Sequence, residues 1–397
     1  MKILQVIPVF SSPFGGPVTV VRSISKELAK RHDVTVYTTT ALDPRRDFRD
    51  SLLEVKLDGY RVVYFPRIFK SSGFNISPVM AKVLDKTLKE YDVVHLHSWR
   101  NFQDIIVHHY AKKYNVPYIL QAHGSLPTIM AKQRLKRIYD QSFGHRLLMD
   151  ASKLIALSSI EAEQYKCAGV PTEKIAIIPN GLELSEDDLP TKGVFRRKFG
   201  IGDDEKIILY LGRIHKIKGI DILVKAFKKV IEEVDNVKLV VVGPDDGYLR
   251  ELKSEIKSLQ IENKILIPGP LYGIDKLEAY VDADVYVLPS RYEIWGMTVL
   301  ESIACQTPVI VTENCGTADY VRDKAGLVVQ ANFNQLSKAL LEMLLDTEKH
   351  SIFAKNCRIV LQEFNILATV SKLEKIYEEI LFCDYKAREA SFNEAHA

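Results

Sequence analysis

Val285-Tyr286-Val287-Leu288-Pro289-Ser290-Arg291-Tyr292-Glu293-Ile294-Trp295-Gly296-Met297-Thr298-Val299-Leu300-Glu301 decides how the chain is read. The apolar run at its start has the length of a buried strand, and Pro289 ends it. A polar loop with Gly296 follows. From Met297 onward, Leu300, Ile303 and Ala304 fall on one apolar face at helical spacing. A strand, a loop and a helix N-terminus in that order hold anions in α/β proteins, because free backbone N–H groups and the positive dipole end meet the ligand there. Glu293 and Glu301 bracket this point. Carboxylates are poorly placed for phosphate and well placed for hydroxyls, so a sugar nucleotide, with phosphates between two sets of hydroxyls, suits both features. A plainer reading also exists. Thr298-Val299-Leu300-Glu301 fits a capping box, and Glu293 fits an ordinary solvated loop carboxylate.

Working outward, 397 residues are enough for two or three domains with sizeable cores. The 47% hydrophobic and 26% charged content is that of an ordinary globular chain. A formal charge of +3 argues against a dedicated nucleic-acid binder. Cys167, Cys305, Cys315, Cys357 and Cys383 are scattered without CxxC or Cys/His spacing, which indicates neither a zinc site nor a disulfide framework. The first residues read as a strand rather than a signal peptide, and no apolar run reaches the roughly 18 residues of a membrane span. A cytoplasmic protein is expected, with docking at the inner face of the cell membrane left open.

The remainder alternates strands and helices. Residues 3–7 form a first strand, Gly15-Gly16 lie in the loop after it, and 18–30 have helical spacing before a strand at 34–37. Adjacent glycines let a phosphate or sugar approach the backbone, although G-x-G-x-x-G is absent and a plain turn fits equally well. Further strands are expected at 61–65, 92–97, 117–122, 153–157 and 175–178, with a loop at 69–78 and a helix at 79–90. His123 follows the carboxyl end of one strand, where open α/β sheets bind ligands; a satisfied loop histidine is the alternative. His95 and His97 are weaker candidates. Residues 126–150 read as a basic helical stretch in which Lys132, Arg134, Lys136, Arg137 and Arg146 interleave with Met130, Leu135, Ile138, Tyr139, Phe143, Leu147 and Leu148. This is either an ordinary amphipathic helix or one that lies on an anionic membrane.

The polar stretch 184–204 is the expected linker. A second α/β series follows, with strands at 207–210, 237–242, 265–267, 285–288, 309–311 and 326–329 and helices at 334–346 and 370–382. Arg213 and Lys218 share a glycine-flanked loop after the first of these strands, where two cations can grip a pyrophosphate. Asp282-Ala283-Asp284 has metal-binding form but precedes its strand, so it reads as a helix-to-strand junction. Two doubly wound domains follow from the repeated βα pattern, with a ligand expected in a central cleft.

Taken together, Gly15-Gly16-Pro17, Ile178-Pro179-Asn180-Gly181, Gly212-Arg213, Lys218-Gly219 and the Glu293/Glu301 pair resemble retaining glycosyltransferases of the GT-B fold, family 4 or group 1. The resemblance covers nearly the whole chain. It implies an N-terminal acceptor-side domain at 1–184, a nucleotide-sugar domain at 185–365, and a C-terminal helix at 366–385 that packs back on the first. It also implies a transferase moving a hexose-type sugar from a UDP or GDP sugar to a glycan or lipid-linked hydroxyl acceptor. By position, Glu293 corresponds to the carboxylate on donor-sugar hydroxyls and His123 to the histidine near that sugar. Arg213 and Lys218 correspond to the diphosphate ligands, Glu301 to the ribose ligand, and Gly15 and Gly16 to the loop under the diphosphate. Backbone N–H groups from Trp295 through Gly296, Met297 and Thr298 would complete the site. No metal and no cofactor are implied, and front-face attack accounts for retention. Ile294-Trp295-Gly296 departs from the frequent Gly-Phe-Gly, which leaves the donor sugar open. A phosphorylase, a sugar-nucleotide epimerase and an inactive binding subunit are the competing readings.

Overall fold

The computed structural model describes residues 1–11, 16–42, 46–71, 74–128, 133–184 and 188–396. The chain forms two compact units, Met1–Gly181 with Ile366–Ala397, and Leu182–Asn365. The stretch read as a linker holds helix Val194–Phe199 and lies within the second unit.

Unit 1 carries strands β1 (Lys2–Val6), β2 (Asp33–Thr39), β3 (Leu53–Leu57), β4 (Tyr60–Phe65), β5 (Phe69–Ser71), β6 (Phe74–Ile76), β7 (Val93–His97), β8 (Tyr118–Gln121), β9 (Lys153–Ala156) and β10 (Ile175–Ile177). Eight of them build one sheet in the order β10-β9-β8-β7-β1-β2-β4-β3. All pairs are parallel except β3 with β4. Parallel strands are covered on both faces, which is why β7 and β8 are buried at every residue, His95, His97 and Gln121 included. The first strand is flanked by β7 on one side and β2 on the other, so the connections reverse direction between β1 and β7. Helix Ile366–His396 belongs to this unit, where its Glu374 binds Arg31 at 2.9 Å and His32 at 2.8 Å.

Two expectations for unit 1 need correcting. The segment expected as a loop at 69–78 contains the β5–β6 hairpin, and helix Pro78–Thr87 starts on Ser77, whose hydroxyl accepts the Met80 N–H. In the basic stretch, residues 126–128 are irregular with Leu126 buried, and the described helix begins at Gln133; Met130 and Lys132 fall outside the described residues. From Gln133 the helix runs through a π turn at Asp140–Gly144 and continues to Asp150. Gly144 fits at this turn beneath Trp99, whose ring would lie 3.2 Å from an added Cβ.

Unit 2 carries β11 (Lys206–Leu211), β12 (Val237–Val242), β13 (Ile265–Gly269), β14 (Val285–Leu288), β15 (Val309–Thr312) and β16 (Gly326–Val329). They form a parallel sheet ordered β13-β12-β11-β14-β15-β16. The chain thus lays three strands outward from β11, then returns to lay three on its other side. The crevice at the carboxyl ends of β11 and β14 is the switch point where such sheets bind ligands.

At the opposite end of β14, both carboxylates of the Asp282-Ala283-Asp284 triplet are committed to structure. Asp282 is buried and accepts the Gly193 and Arg196 N–H groups, the latter at 2.9 Å, at the start of helix Val194–Phe199. Asp284 pairs with Lys206 at 3.0 Å and Arg196 at 3.2 Å and accepts the Ile207 N–H at 2.8 Å. Among the described residues no group of three or more His, Cys, Asp or Glu side chains is arranged to hold a metal ion.

Candidate active site

The switch point of unit 2 brings together two segments distant in sequence. The loop after β11 holds Arg213 and Lys218, the loop after β14 holds Glu293, and helix Met297–Ala304 begins beside them. Gly219 makes this meeting possible. Its φ is +70°, and a Cβ there would stand 2.0 Å from the Pro289 carbonyl oxygen, so only glycine lets the two loops touch. Arg291 fastens them further. Its guanidinium takes both oxygens of Asp221 at 2.7 and 2.6 Å and donates to the Lys216 carbonyl, while its N–H bonds to Ile217. Glu293 is anchored from its other side, its N–H on Asn314 and its C=O on Gly316.

Within this frame the Lys218 ammonium forms an ion pair with the Glu293 carboxylate, both largely shielded from water. Arg213 stands at the surface and pairs with Asp246 at 2.6 Å. The helix beyond Gly296 has no side-chain cap, so its first N–H groups at Met297 and Thr298 have no side chain competing for them. The Thr298 hydroxyl bonds instead to Tyr286 at 2.6 Å. The apparent capping box is not formed. With Gly296 as the N-cap, Glu301 lies in the second turn, too far along to reach back. Its carboxylate takes Lys276 at 2.7 Å and the Tyr280 hydroxyl at 3.1 Å. Nothing local in the sequence marked Lys276, Asp221 or Arg291 as partners, because each is brought in by a neighbouring loop or helix.

Ile294 and Trp295 are both buried, and the Trp295 ring packs edge-on against Tyr320 and Phe364, with centroids 5.8 and 5.4 Å apart. Cys315, beside the Glu293 backbone, is buried, and burial pushes its thiol up to about 12.

In unit 1 the analogous switch point holds Gly16 as the first residue of helix Gly16–Leu28, while Gly15 lies outside the described residues. His123 follows β8 in left-handed backbone, φ +51°. The turn is clamped by Glu161, a buried carboxylate that accepts the Gly124 N–H at 2.6 Å and the Leu157 N–H at 2.8 Å. Burial lifts that carboxyl to about 7. The His123 ring stacks on His97, and burial depresses its own basicity to about 3. The structure thus groups Glu293, Lys218, Arg213, Gly296, Met297, Thr298 and Glu301 in unit 2, and His123 and Gly16 in unit 1. Cations, uncapped N–H groups and carboxylates lie together at the switch point of unit 2.

The fold and both halves of the sequence have known counterparts. The model for glycosyl transferases group 1 matches residues 191–360, and that for glycosyltransferase family 4 matches residues 14–186. Alpha-monoglucosyldiacylglycerol synthase of Streptococcus pneumoniae is 29% identical over 366 residues, covering 88% of this chain and 80% of that protein. Among solved structures, sucrose-phosphate synthase of Thermosynechococcus elongatus superposes with a TM-score of 0.77 at 20% identity, over 96% of this chain and all of that one. HepE of Anabaena, solved with UDP and glucose, superposes with a TM-score of 0.76 at 20% identity over the same share of this chain and all of its own. At that identity the structural likeness speaks for the fold, and the family models speak for the lineage. The chain therefore belongs to the group 1, family 4 glycosyltransferases and carries their GT-B fold.

Proposed function

We propose that this glycosyltransferase moves a hexose-type sugar, with retention, from a nucleoside-diphosphate sugar to a hydroxyl on a lipid-linked or glycan acceptor, without a metal ion. The observation that carries the reading is the Lys218–Glu293 pair beside an uncapped helix N-terminus at the β11/β14 switch point. In this reading Lys218, Arg213 and the N–H groups of Met297 and Thr298 hold the diphosphate and stabilise its charge as it leaves. Glu293 accepts hydroxyls of the donor sugar. Glu301 keeps lone pairs beyond those used by Lys276 and Tyr280, enough to accept ribose hydroxyls. His123 acts as a hydroxyl-contacting residue, and Gly16 supports the phosphate loop. A UDP donor is favoured by the UDP and glucose held in the Anabaena relative, and a lipid acceptor by the name of the streptococcal one.

Incubation of the full chain with UDP and GDP sugars, with and without diacylglycerol or oligosaccharide acceptors, tests the reading. Nucleoside diphosphate release that requires an acceptor, with a product keeping the donor's anomeric configuration, is the expected result. Sugar 1-phosphate formed from added orthophosphate would make the protein a phosphorylase. An epimerised donor without acceptor would make it an epimerase. Equal behaviour of wild type and Glu293→Ala, with no thermal stabilisation by any nucleotide, would leave a binding subunit.

A lipid acceptor calls for a surface that reaches a bilayer. Leu135, Ile138 and Phe143 are 63%, 59% and 46% exposed on the helical run from Gln133, beside exposed Arg134, Arg137 and Arg146. An apolar strip with arginines suits an anionic interface, at roughly 1 kcal/mol per cation near the surface. No helix among the described residues is long and apolar enough to cross a membrane. Co-sedimentation with phosphatidylglycerol vesicles at low salt is expected, and weakening by Arg134→Ala with Arg137→Ala is expected with it. Equal recovery in the supernatant with and without vesicles would end the idea.

A further inference from the structure

A string of polar rings runs through the interior of unit 1. The Tyr377 hydroxyl meets His95 Nδ1 at 2.8 Å, and His95 stacks on His97 with centroids 4.1 Å apart. His97 Nε2 lies 2.6 Å from Gln5 Oε1, and His97 Nδ1 lies 3.0 Å from His123 Nε2. Gln5, His95, His97 and Tyr377 are fully buried, whereas the His123 residue keeps some exposure. Gln5 Nε2 and His95 Nε2 have no hydrogen-bond partner among the described residues, so the string is held by the bonds just named, and buried polar bonds of this kind are costly to break.

We propose that His97 is a positioning residue that sets the ring tautomer of His123, so that His123 presents a bare Nδ1 as a hydrogen-bond acceptor. This rests on the reading of His123 as a hydroxyl-contacting residue. The Gln5 carbonyl oxygen can only accept, so His97 carries its proton on Nε2. A neutral imidazole has one donor and one acceptor, which leaves His97 Nδ1 bare. His123 Nε2 must then carry a proton to bond to it, and His123 Nδ1 is left as the acceptor. Burial holds His95 and His97 well below the ordinary imidazole range, which keeps both rings neutral and the direction of the string fixed. The backbone side is equally determined. Tyr165 Oη receives the Ala122 N–H at 3.0 Å and Glu161 receives that of Gly124 at 2.6 Å, which holds the left-handed turn. The ring plane is set by the stack on His97, 26° from parallel at 5.3 Å. A bare nitrogen accepts an O–H from a sugar, whereas an N–H at that place would instead donate to oxygen.

The test reads the tautomer directly. Long-range 15N–1H spectra of the full chain labelled at histidine, with His123 assigned by its loss in His123→Gln, report which ring nitrogen is protonated. Wild type is expected in the Nε2–H form. His97→Asn, whose Oδ1 replaces the lost Nδ1 acceptor, is expected to keep it. His97→Leu removes the acceptor and is expected to give a mixture of both forms, with kcat/KM for sugar transfer lower by about 10- to 100-fold. Should His97→Leu not fold, as judged by near-ultraviolet circular dichroism, Gln5→Leu makes the same comparison from the far end of the string. An Nδ1–H form in wild type, or an unchanged form in the folded Leu variants, overturns the proposal. So does a normal kcat/KM in a Leu variant whose tautomer has relaxed. Absence of transfer by wild type would instead count against the transferase reading, and the spectra would still decide the tautomer.

Discussion

Lys218→Ala is expected to lower sugar transfer by about a thousandfold, the scale seen when one charge-stabilising donor is removed from a shielded active site. Two effects combine. The leaving diphosphate loses a cation, and Glu293, now without its ion-pair partner in a shielded position, turns its negative charge toward the diphosphate. The electrostatic loss is largest as charge develops on the leaving group, so kcat should fall more than KM rises. Lys218→Arg keeps the charge but spreads it over a planar fork and is expected to recover only part of the rate. Steady-state kinetics of the three proteins with the donor found by screening, beside their thermal midpoints, check this. A loss confined to KM, or an alanine variant as fast as wild type, would remove Lys218 from the chemistry.

Gly219→Ala is expected to cost several kcal/mol of stability, on the order of 4, and to abolish transfer with it. Left-handed backbone alone costs a non-glycine residue about 1–2 kcal/mol. The larger part comes from the Pro289 carbonyl oxygen, 2.0 Å from where the new Cβ must go. Backbone atoms cannot rotate aside as a side chain can, so the loops after β11 and β14 must separate. Their separation pulls Lys218 from Glu293 and strains the Arg291–Asp221 fork. Urea unfolding should show the midpoint falling without a change of slope. A variant with wild-type stability would mean that the two loops tolerate a gap, and that the meeting at Gly219 does not build the site.

These two residues also show what can be read from sequence. Gly212-Arg213 and Lys218-Gly219 stood out because cations between glycines after an apolar run are a local pattern. Strands β12 and β14 were equally legible, since burial on both faces makes them nearly continuous apolar runs. Strand β3 was not. As an antiparallel edge strand it shows water most of its residues, Glu54-Val55-Lys56 among them, and lacks the apolar run. Helix Phe102–Tyr114 escaped for a related reason: it buries Gln103 and Asp104, the latter in a capping box with Asn101, beside Ile106, Val107 and Ala111, so its inward face is a mixture rather than an apolar stripe. The capping-box alternative for Glu301 fails because Thr-x-x-Glu forms the box only when the threonine is the N-cap, and here the N-cap is Gly296, two residues before Thr298. The partners of the site residues, Lys276 for Glu301 and Asp221 for Arg291, are set by strand order, which no local pattern encodes. His97 belongs with them. Its alternation with His95 on one strand was visible, but its role depends on Gln5, 92 positions away.

The ends of unit 2 meet. The Leu182 N–H bonds to the Phe364 carbonyl at 2.8 Å, and Leu182 bridges to Asn365. In unit 1, Gly181 lies so close to Ile366 that a Cβ on it would come within 2.6 Å of the Ile366 Cα. Unit 2 is therefore an insert whose entry and exit share one doorway, and unit 1 would need almost no added chain to close behind it. Recombination at a single pair of neighbouring junctions can replace the whole β11–β16 cassette while every strand of the other sheet keeps its place. On the proposed reading, this gives the lineage a route to exchange the nucleotide sugar it uses while retaining the surface that meets its acceptor.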